Sequence, residues 1–163
     1  MLEQVLGLRP RVTAYFGGLA AGLSLVAAGI EAVRLNVVGP VGGSAGIVYA
    51  AVGLLFGLGL AFAAAYVNAS LVSGWLVGAV PAAGRVGGLA LSGPDPGLAT
   101  VISGTAGVGM VVGGVGYGLA AEKLRRDTVG ADLATAIPRV TSTALAGASI
   151  AVGLACLVGP PAL

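Results

Sequence analysis

The sequence predicts an all-α integral membrane protein: a bundle of four strong transmembrane helices plus one weak stretch that is re-entrant, surface-lying or a fifth crossing. Three observations predict it. Apolar runs over about residues 12–33, 44–66, 98–121 and 140–158 each approach or exceed the roughly 20 residues that a helix needs to cross hydrocarbon. Only 9% of the residues are charged, against about 25% in a soluble domain, so most of the surface must face lipid or other protein. Turn-forming clusters of Gly, Pro, Asn and Asp separate most of the runs. The 163 residues make one transmembrane domain.

The run at Leu98–Ala121 organises the rest. At 1.5 Å per residue it extends about 36 Å, enough to cross a core of about 30 Å with some tilt. A basic cluster, Lys123, Arg125 and Arg126, follows as an anchor. Seven glycines interrupt the run, and Gly109-x-x-x-Gly113 and Gly114-x-x-x-Gly118 set small residues on nearby faces. Such faces let neighbouring backbones approach closely, although this composition also produces the spacing by chance. Tyr117, shortly before Glu122, is expected at the membrane interface.

The remaining elements follow in order. Met1–Arg11 is a short head with two arginines, and the apolar run at 12–33 is too long for a signal-peptide core of about 7–15 residues. It reads as a first span with a small-residue stripe at Gly18, Gly22 and Gly29, closed by Glu31 and Arg34. Leu35–Gly43 is rich in helix breakers, so the first span and the second, at 44–66, are expected to form an antiparallel hairpin. The second span carries Gly53-x-x-x-Gly57. The weak stretch at 70–91 contains Pro81 and Arg85; arginine near a helix centre costs about 2.5–3.5 kcal/mol on insertion scales, and Arg85 is off-centre. Asn68-Ala69-Ser70 matches a glycosylation sequon but abuts a span, which makes it a poor acceptor. Ser92–Gly97 is a turn. After the central run, Glu122–Arg139 is the longest polar segment, with an apolar stripe at Val129, Leu133 and Ile137. The span at 140–158 carries Gly147, Ala151 and Gly153 as small contacts.

Charge sets the expected topology. With five crossings and the N-terminus inside, Arg9, Arg11, Lys123, Arg125, Arg126 and Arg139 are all cytoplasmic. Four crossings would leave the first two outside. A repeat is also suggested: Glu31-Ala-Val-Arg34 before Val38-Gly39 parallels Glu122-Lys-Leu-Arg125 before Val129-Gly130, and Ala51–Leu54 matches Ala151–Leu154. Five crossings would make the two hairpins inverted copies, as in many transporters. Coincidence competes with this reading in so biased a composition.

The chemistry is sparse. There is no histidine, hence no usual general base, metal ligand or haem ligand. The single cysteine, Cys156, allows no intrachain disulfide and reads as a small apolar residue. No catalytic, cofactor or metal residues stand out, and eight scattered Lys/Arg form no nucleic-acid patch. No enzyme activity is expected. The candidate packing residues are Gly18, Gly22, Gly53, Gly57, Gly109, Gly113, Gly114 and Gly118. The candidate polar or transport residues are Glu31, Ser103 and Thr105, although Glu31 reads more readily as an end charge paired to Arg34. The expected function is a structural or accessory subunit of a membrane assembly, in a cytoplasmic or viral membrane. Its partners are the lipid bilayer and other membrane subunits or a second copy of itself. The alternative is a small transporter or channel.

Overall fold

The computed structural model describes residues 5–93, 97–127 and 138–158; among them there is no strand. The described residues include the helices α1 (Pro10–Val37), α2 (Gly43–Asn68), α3 (Leu71–Gly78), α4 (Val80–Ser92), α5 (Leu98–Asp127) and α6 (Arg139–Val158). With α3 and α4 taken together as Leu71–Ser92, five helical rods are long and apolar enough to cross a membrane. This is consistent with a multi-pass membrane protein.

The helix ends have local causes. Pro10 opens α1 at a first-turn position, where its missing N–H has no intrahelical partner to lose. Ser70 caps α3, its Oγ accepting from the Ser73 N–H at 3.1 Å. Between α2 and α3 the chain reverses on Ala69, whose φ of 49° is a left-handed conformation uncommon for a residue with a Cβ. Pro81, lacking an N–H, marks the junction of α3 and α4. The α5 helix runs past the end of the apolar run at Ala121. Ion pairs of Arg125 and Arg126 to Glu122, and of Lys123 to Asp127, support its last turns at i+3 and i+4 spacing, and the cations suit a helix C-terminus.

The weak stretch forms a helical rod alongside α1, one of the five long and apolar enough to cross a membrane. It starts beside the N-terminal segment at Gly7 and ends beside Glu31, near the other end of α1, so α3–α4 traverses the bundle. It is also the most interior of the five rods. Its small residues explain this: Gly84, Gly87 and Gly88 bring α4 so close to α1 that a Cβ at each would lie 2.5–2.8 Å from Ala27, Ala28 or Glu31 atoms. The expected α1–α2 hairpin is correspondingly loose. The two helices touch sparsely, α1 packs chiefly on α4, and α2 packs on α5 and α3. The central run does organise the bundle, since α5 packs extensively on α2, α3 and α6.

Tyr117, expected at the membrane interface, lies inside the bundle rather than on its outer surface. It is 1% exposed and packs with Ala65, Leu71, Ala120 and Ala146. Ten further helical residues carry α5 about 15 Å beyond it. Polar links also cross the bundle. Trp75 Nε1 donates to Ser149 Oγ at 2.7 Å, and that hydroxyl donates to the Met110 carbonyl at 2.7 Å, joining α3, α6 and α5. At the end where α1 begins, Asn68 accepts from the Arg9 N–H through Oδ1 (3.1 Å) and donates through Nδ2 to Thr13 Oγ1 (2.7 Å). Its carbonyl accepts from the Leu8 N–H at 3.1 Å.

Candidate functional site: a buried carboxylate beside an apolar cleft

Because α1 and α2 barely touch, a cleft of about 650 Å³ lies between them, with α4 forming its third wall. Ile30, Val52, Leu54, Phe56, Val80 and Val108 give it an apolar lining; Glu31, Tyr49 and Arg85 are its polar and charged lining residues. Glu31 is 3% exposed. Its carboxylate accepts from Arg34 Nε at 2.8 Å and Nη2 at 2.7 Å, and from the Tyr49 hydroxyl at 2.6 Å. The two-pronged guanidinium contact is the strong geometry for such a pair. Arg34 Nη1 donates to the Gly39 carbonyl at 2.9 Å, which ties the cluster to the α1–α2 turn. The guanidinium carbons of Arg34 and Arg85 lie 5.1 and 5.7 Å from the Tyr49 ring centre, within cation–π range. The buried acid is therefore fully engaged: paired, hydrogen-bonded and held by residues from α1 and α2.

Thr105 is elsewhere. It lines a second, almost wholly apolar cleft of about 620 Å³ with Trp75, Leu76, Val86, Val101 and Met110. The two clefts share no lining residue and flank α4 on opposite sides. Ser103 is half-buried on α5. The structure thus does not bring Glu31, Ser103 and Thr105 together, and they do not form one polar path.

The candidate packing glycines divide into two groups. A Cβ at Gly109 would lie 2.9 Å from the Trp75 carbonyl oxygen, at Gly113 2.6 Å from the Trp75 nitrogen, at Gly114 3.0 Å from Ser149 Oγ, and at Gly57 3.1 Å from Pro81 Cγ. Gly53 and Gly118 meet ordinary contacts at 3.6 and 3.5 Å. Gly18 and Gly22, by contrast, have nothing within 4 Å, and neither does Gly29. The stripe expected on α1 packs against no described residue, because α4 takes the α1 face carrying Ala27, Ala28 and Glu31 instead. Sequence reasoning passed over Gly84, Gly87 and Gly88. Their i, i+3, i+4 spacing was the available signal, obscured by the neighbouring Arg85.

Both Glu-x-x-Arg segments of the suggested repeat form i, i+3 ion pairs at 2.7 Å. Their surroundings differ. Gly153 approaches the Gly107 carbonyl closely across α5 and α6, whereas Gly53 faces Pro81 and α1 and α2 stay apart. Val129 and Gly130, like the stripe at Val129, Leu133 and Ile137, lie outside the described residues. Among the described residues, no three His, Cys, Asp or Glu side chains gather as a metal site would require.

No protein-family model matches the chain, and no curated protein or solved structure shows significant similarity to it.

Proposed function

We propose that the chain is a multi-pass membrane protein that serves as a structural or accessory subunit, binding neighbouring helices through its outward glycine faces. The observation that carries this reading is the unfilled small-residue surface. Exposed Gly18, Gly22 and Gly29 on α1, and Gly147 on α6, have no neighbour within 4 Å. Ala14 and Ala21 extend the α1 face, and Ala144, Ala148 and Ala151 that of α6; all are exposed. Each glycine costs a helix about 0.5–1 kcal/mol relative to alanine. In lipid, that cost is offset where another backbone packs against the bare face, as the inward glycines of α5 do within this chain. A second copy of the chain or an unrelated subunit would fill the outward faces in the same way.

Purification in mild detergent, with identification of whatever co-elutes, tests the reading. The wild type should elute as a complex, and Gly18→Leu with Gly22→Leu should release the partner while leaving the unfolding temperature of the free chain unchanged. A monodisperse monomer from native membranes would overturn it.

The alternative, a small transporter or channel, is favoured by one observation: Glu31 is buried within a membrane-length helix, where ionisable groups are commonly functional. Flux through the reconstituted chain, abolished by Glu31→Gln, would replace the structural reading with this one.

A further inference from the structure

We infer that the cleft between α1, α2 and α4 is a binding site for an anionic phospholipid, with the headgroup phosphate on Arg85 and an acyl chain along the apolar walls. The argument begins with charge. Two guanidinium groups, Arg34 and Arg85, face one carboxylate, Glu31, and Arg34 already holds both carboxylate oxygens. Arg85 makes no hydrogen bond or ion pair with any described residue; its nearest aromatic contact is the Tyr49 ring. Arg85 is exposed, so this helix of membrane-spanning character presents an outward positive charge with no hydrogen-bonded or ion-paired anion among the described residues. Such a charge is costly in a low-dielectric setting and either reaches the interface or acquires an anion. A guanidinium offers five donors in a fork that suits phosphate oxygens.

Shape supplies the second part. The space beside Arg85 is about 650 Å³ and is walled by Ile30, Val52, Leu54, Phe56 and Pro81. A free inorganic anion would cover none of that wall, whereas an acyl chain would lie along it. An apolar wall with one unsatisfied cation at its edge fits an amphiphile that is anionic at one end. A zwitterionic lipid satisfies the wall but brings its own cation to Arg85.

The full chain in mild detergent provides the test. Phosphatidylglycerol should raise the unfolding temperature more than phosphatidylcholine of the same chain length, and inorganic phosphate should leave it unchanged. Native mass spectrometry should show apparent phosphatidylglycerol affinity falling about tenfold in Arg85→Gln, the scale of one charge-assisted hydrogen bond. Affinity should be retained in Arg85→Lys and in Arg11→Gln, which removes an exposed cation outside the cleft. Equal stabilisation by phosphatidylcholine, equal stabilisation by inorganic phosphate, or undiminished affinity in Arg85→Gln would each overturn the site. Phosphatidylglycerol carrying a photoreactive acyl chain gives an answer that needs no variant. Crosslinks in the wild type should concentrate on Tyr49–Phe56 and Pro81–Arg85, and crosslinks spread evenly over all helices would exclude the cleft.

Discussion

At the scale of single residues, polar side chains do the most specific work in this otherwise apolar chain. Asn68 shows it best. It is 1% exposed, and it ties the N-terminal segment to the α2–α3 reversal through Arg9 and Thr13, partners 59 and 55 residues away in sequence. Gly7, with φ of +92°, must lack a side chain there, because a Cβ would lie 2.3 Å from Asn68 Nδ2. In a membrane setting an unpaired amide has no water to turn to. Asn68→Ala leaves the Arg9 N–H without its acceptor and Thr13 Oγ1 without its donor. The expected cost is about 1–3 kcal/mol, read as a lower unfolding temperature in detergent. Asn68→Asp keeps the acceptor for Arg9 but not the donor to Thr13, and should fall between the two. An alanine variant as stable as the parent would mean that the node orders a loop without stabilising the bundle. None of this was legible from Asn68-Ala69-Ser70, which reads locally as a sequon. The partners that define its role are brought to it only by the fold.

At the scale of elements, hydropathy shows which stretches become helices but not which faces meet. The apolar runs at 44–66 and 140–158 lie close to α2 and α6 as built. The faces were ambiguous because glycine is everywhere: Gly18-x-x-x-Gly22 and Gly109-x-x-x-Gly113 share a spacing, yet the first is open and the second pressed against the α3 backbone. The burial of Tyr117 is hidden for a related reason, since the apolar run stops at Ala121 while salt-bridged polar residues carry the helix to Asp127. The pairing of α5 with α3 makes a graded test. Gly113→Ala puts a methyl group 2.6 Å from the Trp75 nitrogen, a backbone atom that cannot swing away, so a loss of about 1–3 kcal/mol is expected. Gly118→Ala meets only Ala146 Cβ at 3.5 Å and should be near neutral. Gly22→Ala, in open space, should hold or gain up to about 1 kcal/mol from helix propensity. Thermal unfolding of the three variants under identical detergent conditions checks the order. An equal loss in all three would mean that the close approach of α3 and α5 does not govern stability.

At the scale of the whole molecule, the bundle sorts its cations by end. The Leu8–Asn68 and Tyr66–Asp127 bonds bring the start of α1, the end of α2 and the end of α5 to one side. The Arg125–Ser142 bond, 2.7 Å long, brings the start of α6 there too. That end therefore carries Arg9, Arg11, Lys123, Arg125, Arg126 and Arg139, six of the eight basic residues, while Arg34 and Arg85 lie toward the other. An asymmetry of this kind orients membrane proteins with the basic end in the cytoplasm. It holds only if α3–α4 crosses, because a re-entrant middle stretch would put the start of α1 and the end of α5 on opposite sides. Single cysteines at Leu8, Pro40 and Arg126, each in a Cys156→Ala background, separate the cases when intact cells are treated with a membrane-impermeant maleimide. Leu8 and Pro40 are exposed at opposite ends of α1, and Arg126 is exposed at the end of α5. The expected pattern is labelling at position 40 alone, with positions 8 and 126 reacting only after the cells are opened. Labelling at positions 8 and 126 but not 40 would keep five crossings and reverse the orientation. Labelling at 8 with protection at 126 would require four crossings, and α3–α4 would then have to leave the place it occupies between α1 and α5.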